Sequence, residues 1–141
     1  MKRDHMSDTP SKVDKDNSEW REELSSDQYR IAREEGTERA FTSPLNNEKR
    51  KGDYHCVGCG TVLWTSDAKY DSGSGWPSFY KPADDSVIGT KTDHKLGMAR
   101  TEVHCAVCNA HMGHVFPDGP EPTGLRYCIN GAVLDFQPEE S

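Results

Sequence analysis

Two cysteine pairs constrain this 141-residue chain more than any other feature of its sequence. Each pair has two residues between its cysteines, 'CVGC' at Cys56–Cys59 and 'CAVC' at Cys105–Cys108. A tight turn aims both sulfurs of a pair at one point, and two such turns complete a tetrahedral thiolate set. Gly58 and Gly60 supply backbone freedom for the first turn. The pattern predicts a structural Zn²⁺ site, with one ion per chain and no open coordination position.

Three other interpretations of the two pairs compete with zinc. A thioredoxin-like redox pair needs a following helix and occurs only once, and local disulfides need an oxidising compartment. An iron–sulfur cluster uses the same four ligands, so it is harder to exclude on residue types alone. The 45 residues between the pairs (60–104) exceed the usual zinc-ribbon spacing. We therefore expect the metal to join distant parts of the sheet.

The composition limits the size of the core and the class of partner. Hydrophobic residues make up only 33% of the chain, so the core must be small, and a metal would help to stabilise it. The net charge of −7 argues against a nucleic-acid partner, whose phosphates call for a basic surface. No apolar run approaches the roughly 20 residues of a membrane span, and the N-terminus has no apolar signal-peptide core. We expect a monomer in a reducing cytoplasm.

The N-terminal segment differs from the rest of the chain. Residues Met1–Asn17 are almost wholly polar and are predicted to be disordered. The pair His5-Met6 is typical of a cloning scar, which would make the first five residues foreign to the fold. Residues 18–141 are predicted to form a single domain.

Two short helices are predicted at the start of this domain. Trp20 and Leu24 are four residues apart and can share one helix face. Ser25 and Gln28 have the spacing of a capping box, which predicts a second helix from about Ser26 to Glu35.

From Tyr54 onward the pattern changes to short β-branched and aromatic segments separated by Gly, Pro and Asp-Asp. Such segments, without alternating helical periods, predict a compact antiparallel β domain rather than a parallel sheet. The candidate strands are Thr61–Trp64, Ser86–Thr90, Ala99–His104, His114–Phe116, Gly124–Ile129 and Ala132–Phe136.

The fifth cysteine lies in 'LRYCIN', Leu125–Asn130. In a strand, the period of two places Arg126, Cys128 and Asn130 on one face and the apolar residues on the other, toward the core. A neighbouring Arg favours the thiolate, which is the reactive form of cysteine. A plain buried cysteine is the alternative, and Asn130-Gly131 is also a candidate type I′ turn that would end the strand.

Two further segments carry chemistry. 'HMGHVFPDG' holds His111, His114 and Asp118 directly after the second cysteine pair, and histidine transfers protons near neutral pH. 'DSGSGWPSFY' presents Trp76 and Phe79 from a loop rich in Gly and Ser. We assign Phe79 to the core, whereas Trp76 is a good partner for a methyl-sulfur group. The residues alone leave thiol redox catalysis and cysteine-dependent acyl transfer both open.

The segments 'GWPSF', 'CxxCNAHMGHVFPDGP' and 'GLRYCIN', with both cysteine pairs in the same order, resemble the B-type methionine sulfoxide reductases. The resemblance covers about Trp20 to Gln137. It implies two small antiparallel sheets with short N-terminal helices and a structural zinc. It also implies reduction of the R epimer of methionine sulfoxide in proteins and peptides, with thioredoxin as the reductant.

The resemblance implies a role for each site residue. Cys128 would attack the sulfoxide sulfur and become a sulfenic acid, while His111 and His114 orient the substrate and protonate its oxygen. Trp76 would receive the ε-methyl group, and Phe116 would wall the same pocket. Arg126, Asn130 and Asp118 would support the thiolate and its hydrogen bonds. The zinc ligands would be Cys56, Cys59, Cys105 and Cys108.

The chain departs from the resemblance at Ser74, where many members have a resolving cysteine two residues before the tryptophan. Either thioredoxin or a small thiol reduces the sulfenic acid directly, or Ser74 is an engineered Cys→Ser change; the sequence leaves both open. The alternative function is a non-enzymatic zinc-binding recognition module with Trp76 as the wall of an aromatic cage. Cys128 with two histidines favours the enzyme, because a binding module needs no nucleophile.

Overall fold

The computed structural model describes residues 17–93 and 99–139. Helix α1 spans Asn17–Glu23 and helix α2 spans Ser26–Glu34. The predicted disordered segment lies outside the described residues, except for Asn17, which begins α1. Among the described residues, no helix is long and apolar enough to cross a membrane.

The predicted capping box at the start of α2 is confirmed. The Ser25 hydroxyl accepts from the Gln28 N–H at 3.1 Å, and the Gln28 side-chain oxygen accepts from the Ser25 N–H at 2.9 Å. The helix ends one residue earlier than predicted because Glu35 adopts the left-handed conformation, with φ 57°. Buried Trp20 and Ile31 then attach the two helices to the β domain.

Nine short strands follow in the described part of the chain, and they confirm the predicted mainly β class. They form two antiparallel sheets, of order β2-β1-β9 and β3-β4-β8-β7-β6-β5. The strands are β1 Gly52–Cys56, β2 Val62–Thr65, β3 Lys69–Tyr70, β4 Ser78–Phe79, β5 Ile88–Asp93, β6 Arg100–Cys105, β7 His111–Phe116, β8 Arg126–Ile129 and β9 Leu134–Pro138. Short 3₁₀ helices occupy Pro44–Asn47, Ser66–Ala68, Asp85–Val87 and Gly131–Val133.

The six predicted strands correspond to β2 and β5–β9, and no boundary differs by more than three residues. The sequence did not predict β1, β3 or β4. Strand β1 begins with the pair Gly52-Asp53, which is not typical of a strand. Strands β3 and β4 are only two residues long, too short to show an alternating pattern.

The alternative of a type I′ turn at Asn130-Gly131 is excluded by the backbone. Asn130 has φ −72° and ψ 114°, whereas that turn needs positive φ at both central residues. The chain instead leaves β8 through the 3₁₀ helix Gly131–Val133 and enters β9 in the other sheet. Strand β8 therefore pairs with β4 and β7 and has no hairpin partner after it.

The core lies between the two sheets, and its largest fully buried side chains are aromatic. The rings of Trp64 and Phe79 stack with their centroids 5.0 Å apart, and Tyr54 meets Phe79 edge-on at 5.1 Å. Phe79 thus packs in the core, as predicted. Tyr127 of β8 contacts Trp64 at 5.1 Å, so its side chain faces this core. The opposite face of β8 is the one that carries Arg126 and Cys128.

Candidate active site

The four paired cysteines form one cluster whose sulfurs all lie within 4.8 Å of one another. The Cys56 and Cys108 sulfurs are 3.5 Å apart, and those of Cys59 and Cys105 are 3.6 Å apart. A tetrahedral site with Zn–S bonds of about 2.3 Å has edges of roughly 3.8 Å. The cluster therefore has the donor atoms, the size and the burial of a structural metal site.

The two cysteine turns have the same backbone geometry. In each, the N–H of the residue after the second cysteine donates to the first cysteine's carbonyl at 2.8 Å, from Gly60 to Cys56 and from Asn109 to Cys105. Both donors are left-handed, with φ 82° and 65°. Glycine and asparagine are the residues that adopt this conformation most readily, which accounts for their presence at this position.

Gly58 is needed for a reason other than the predicted backbone freedom, since its φ is not positive. A Cβ at this position would lie 3.1 Å from the Trp20 ring and 3.2 Å from the Cys108 sulfur. The glycine therefore provides the space in which α1 packs against the four-cysteine cluster, which we call the metal cluster from here on because of its proposed ligand role.

The cluster joins the two sheets to each other. Cys56 ends β1 of the three-stranded sheet, and Cys105 ends β6 of the six-stranded sheet. The sequence predicted that this site would join distant parts of one sheet, whereas the four cysteines come from two separate sheets.

The fifth cysteine lies in a row of polar residues that crosses the six-stranded sheet. Cys128 is paired directly with His114 on β7 and with Ser78 on β4, and His114 is paired in turn with Glu102 on β6. Directly opposed residues of antiparallel strands project from the same face of the sheet. We call this set the polar row; with its two ends it consists of Tyr70, Ser78, Cys128, His114, Glu102 and Lys91.

The Cys128 sulfur is partly exposed and has three polar neighbours. Arg126 Nη1 donates to Sγ at 3.1 Å. The hydroxyl oxygens of Ser74 and Ser78 lie 3.3 Å and 4.0 Å from the sulfur. A guanidinium at this distance stabilises negative charge on sulfur, the form in which cysteine acts as a nucleophile.

Asp118 does not contact Cys128 but holds Arg126 in place. The guanidinium donates through Nε at 2.9 Å and Nη2 at 3.1 Å to the two carboxylate oxygens, and it stacks 4.4 Å from the centroid of the Phe116 ring. The hydrogen bond with Arg126 lowers the pKa of Asp118 and raises the pKa of Arg126 above its ordinary value. This bidentate geometry leaves Nη1 directed at the sulfur.

Cys128 opens into a cavity of about 280 Å³. Six of the predicted site residues line it, and Thr37, Arg100 and Gly113 complete the wall; the six are Trp76, His114, Phe116, Arg126, Cys128 and Asn130. Asp118 and His111 are not among the lining residues. The cavity combines a nucleophile, an imidazole and two aromatic rings, which suits a small substrate with a polar and an apolar part.

His111 lies behind His114. Its side chain is buried, and the two imidazole rings meet edge-on with their centroids 5.6 Å apart and an angle of 72°. His111 Nδ1 is 2.6 Å from one oxygen of Glu102, and His104 Nδ1 is 2.9 Å from the other. The predicted histidine pair is therefore together, but only His114 reaches the cavity.

Glu102 is buried yet carries a charge at neutral pH. Burial raises the pKa of its carboxyl, but the hydrogen bonds from His104 and His111 outweigh burial and lower this pKa to about 2. Sequence patterns did not identify this residue. The only signal was the alternation of Glu102 and His104 in 'RTEVHC', and the strand register that sets Glu102 opposite His114 is not readable from one sequence.

Glu38 is the second buried carboxylate beside the cavity, and the sequence did not predict it either. Its backbone carbonyl accepts from Trp76 Nε1 at 3.0 Å, and its N–H donates to Asn130 Oδ1 at 2.9 Å. Its carboxylate accepts from the N–H groups of Gly131 and Ala132 at 2.9 and 3.0 Å. Burial raises the pKa of Glu38 despite these bonds. Glu38 therefore holds two cavity residues in place, the aromatic ring of Trp76 and the side-chain amide of Asn130.

Comparison with known proteins gives a consistent set of relatives. A family model described as a SelR domain matches residues 24–138. A peptide methionine sulfoxide reductase MsrB of Pseudomonas putida strain W619 is 57% identical over 129 residues, which cover 92% of this chain and 97% of that protein. The protein of the same name from Leptospira interrogans is 56% identical over 127 residues, 90% of this chain and 97% of that protein. That from Thiobacillus denitrificans is 55% identical over 126 residues, 89% of this chain and 96% of that protein.

Proposed function

The chain belongs to the SelR domain family of peptide methionine sulfoxide reductases, and from that premise we propose that it reduces the R epimer of methionine sulfoxide in proteins and peptides to methionine. The observation that carries the proposal is the Cys128 sulfur, which receives a hydrogen bond from Arg126 and opens into a cavity with His114 and Trp76. Nothing else in the described residues combines a nucleophile with a proton donor and an aromatic wall.

The reaction transfers one oxygen from substrate to enzyme. The Cys128 thiolate attacks the sulfoxide sulfur, and one proton is added to the sulfoxide oxygen. The sulfur–oxygen bond of the substrate and the transient bond between the two sulfurs then break, while a sulfur–oxygen bond forms on Cys128. Cys128 is left as a sulfenic acid, and methionine leaves. The substrate sulfur gains two electrons and the cysteine sulfur loses two, so the step balances. Arg126 and Asp118 hold the thiolate for the attack.

His114 is positioned to handle the proton. It lines the cavity and is directly opposite Cys128 in the strand register, so a sulfoxide bound to the cysteine sulfur lies beside its ring. Histidine is the side chain best suited to donate a proton near neutral pH. His111 supports this step from behind His114, and Asn130 supplies an amide to the same cavity.

Trp76 and Phe116 form the apolar wall of the proposed substrate site. Sulfur-bound methyl groups pack favourably against aromatic rings, and Trp76 is held by its hydrogen bond to the Glu38 carbonyl. We therefore place the ε-methyl group of the substrate against Trp76, with Phe116 beside it. The rest of a peptide substrate would lie outside the cavity mouth.

Regeneration of Cys128 must come from a second molecule. Ser74 lies 3.3 Å from the Cys128 sulfur, where a resolving cysteine would stand, and its hydroxyl cannot form a disulfide. The other four cysteines are gathered in the metal cluster. Thioredoxin or a small thiol would attack the sulfenic acid, release water and form a mixed disulfide, which a second thiol opens. One nucleophilic thiol and four metal-binding thiolates suit a reducing compartment, and we propose the cytoplasm as the site of action.

The metal of the cluster is proposed to be Zn²⁺. Cys56, Cys59, Cys105 and Cys108 would hold it as four thiolates, with no position left for a substrate. Its contribution is to stabilise the junction of the two sheets. No step of the reduction involves these four residues.

A stereospecific assay tests the proposal directly. The purified protein is incubated with a peptide that contains either the R or the S epimer of methionine sulfoxide, with thioredoxin or dithiothreitol as the reductant. We expect turnover of the R epimer alone. Binding of the R epimer without turnover would instead favour a recognition module with an aromatic cage.

A single-turnover experiment without reductant tests the nucleophile. A sulfenic-acid reagent added after one equivalent of R sulfoxide should label Cys128, as located by mass spectrometry of the digested protein. Labelling of Cys56 or Cys105 in place of Cys128 would reverse the assignment of the two kinds of cysteine.

A further inference from the structure

Glu102 has both of its carboxylate oxygens engaged by imidazole nitrogens and is only 1% exposed. Burial of a carboxylate costs free energy unless hydrogen bonds compensate for the lost hydration. Glu102 is buried behind the candidate site, which suggests that its charge has a role there. The residue lies two strands from Cys128 in the polar row, with His114 between them.

The contact with Glu102 selects one tautomer of His111. The carboxylate is ionised at neutral pH, since its pKa is about 2, and an ionised carboxylate only accepts hydrogen bonds. His111 Nδ1, at 2.6 Å, must therefore carry the hydrogen. The Nε2 edge of the ring is then an acceptor in the neutral form and a donor only in the protonated form.

The position of the His111 ring is transmitted to His114. The two rings meet edge-on at 5.6 Å, and His114 is flanked in the strand register by Glu102 on one side and Cys128 on the other. A His111 ring that turned away from Glu102 would remove the packing surface on which the His114 ring rests. The His114 ring is thus held by two successive contacts, from the Glu102 carboxylate to His111 and from His111 to His114.

Other charged groups surround Glu102, and two of them have their own partners. Lys91 Nζ is 3.0 Å from a Glu35 oxygen, and Arg33 donates to the Cys108 carbonyl at 2.7 Å. Six titratable or charged groups face Glu102 from its own and the neighbouring elements. They are Lys91 on β5, His104 on its own strand, His111 and His114 on β7, Arg33 on α2, and Glu35 directly after α2.

We propose that Glu102 is a positioning residue for sulfoxide reduction, which acts through His111 to orient His114 beside the Cys128 sulfur. The proposal rests on the proposed function and adds a residue to it. It distinguishes His111 from His104, because both contact the same carboxylate but only His111 packs on the histidine of the cavity.

The kinetic test compares Glu102→Gln with Glu102→Asp and with His104→Asn. Glutamine has the same size without the charge, so we expect kcat for the R epimer to fall about 10- to 100-fold with KM little changed, as when a histidine loses its carboxylate partner elsewhere. Aspartate should recover part of the loss. His104→Asn retains a donor for Glu102 and should keep near wild-type kcat, with metal content and unfolding midpoint measured in all variants.

A spectroscopic test is independent of activity. In the ¹⁵N-labelled wild-type protein, the ring nitrogens of His111 should show the Nδ1–H tautomer, and in Glu102→Gln this signature should be lost or mixed. An Nε2–H tautomer of His111 in the wild type would overturn the proposal even if Glu102→Gln did not fold. Unchanged kcat in a folded Glu102→Gln variant, or equal losses in Glu102→Gln and His104→Asn, would overturn it as well. Absence of wild-type turnover would count against the function itself.

Discussion

The molecule contains two cysteine sites that differ in almost every physical respect. In the metal cluster four sulfurs lie within 4.8 Å of one another at the junction of the sheets, and Cys105 is fully buried. In the cavity, the single Cys128 sulfur is partly exposed, with a guanidinium as its counter-charge. Negative charge on sulfur would thus be balanced by the proposed metal at one site and by protein hydrogen-bond donors at the other.

The contrast shows that neighbours, and not the residue type, decide what a cysteine does. A thiolate bound by a structural metal has its charge neutralised and its lone pairs occupied, which makes it a poor nucleophile. The Cys128 sulfur, held by Arg126 and nearby hydroxyls, instead opens into the cavity, where a substrate can reach it. The same substitution, Cys to Ser, is therefore expected to remove the fold at one site and only the activity at the other.

Cys105→Ser should have the largest effect, which is loss of the fold. Removal of one thiolate destroys a site that joins both sheets, and structural zinc contributes about 10–16 kcal/mol of binding free energy in small domains. We expect loss of bound metal and of the cooperative thermal transition, measured by elemental analysis and circular dichroism. Treatment of the wild type with a strong chelator should reproduce the result. A variant that keeps its transition without metal would remove the distinction between the sites.

Cys128→Ser should abolish turnover and leave the fold and bound metal unchanged. The serine hydroxyl fits the space of the thiol, and the backbone pairing of β8 with β4 and β7 does not depend on the Cys128 side chain. The measurement is the rate of R-sulfoxide reduction together with metal content and the unfolding midpoint. Residual turnover in this variant would mean that another group is the nucleophile.

Much of this contrast was predictable because it depends on local spacing. The four-cysteine cluster follows from two turns that each need only four consecutive residues, and the period of two in 'LRYCIN' predicts that Arg126 and Cys128 share one face. The capping box at Ser25 and Gln28 is local in the same sense. Such local patterns can be recognised from the sequence alone, because they do not depend on which strands pair.

The residues that escaped prediction depend on long-range register. Glu102 and Ser78 belong to the polar row only because β6 and β4 pair with their neighbours at one register, and a shift of one residue would turn both away. Glu38 hydrogen-bonds the cavity residues Trp76 and Asn130 from a position 92 residues before Asn130 in the chain. The β1, β3 and β4 strands were missed for the same reason, since their partners, and not their own residues, make them strands.

Arg126→Met should reduce the reactivity of Cys128 without affecting the metal cluster. Hydrogen bonds to a charged group contribute about 1.5–3 kcal/mol, so loss of the guanidinium should slow alkylation of Cys128 by iodoacetamide on the order of tenfold or more. Methionine keeps much of the packing on Phe116, and Arg126→Lys, which retains the charge without the bidentate contact to Asp118, should be intermediate. Equal alkylation rates in the three proteins would show that the guanidinium does not activate the sulfur.

Ser74→Cys should have the smallest effect on the first chemical step, yet it changes the fate of the sulfenic acid. The Ser74 hydroxyl is 3.3 Å from the Cys128 sulfur, and a cysteine sulfur at this position needs only a small movement to reach the S–S distance of about 2.05 Å. After one turnover, the new thiol should displace water from the sulfenic acid and form a disulfide. Free-thiol titration and intact mass would show the disulfide, and the sulfenic-acid reagent should no longer label Cys128.

Ser72→Cys is the matched control for that prediction. The Ser72 hydroxyl lies 2.8 Å from Ser74 and 2.7 Å from Ser78, which places it behind both and one hydroxyl further from the cysteine sulfur. A thiol there should leave the sulfenic acid open to the reagent. If both variants formed the disulfide, the loop would be too mobile for the 3.3 Å contact to specify a partner. If neither did, the sulfenic acid would point into the cavity and away from residue 74, and a thiol from a second molecule would have to enter from that side.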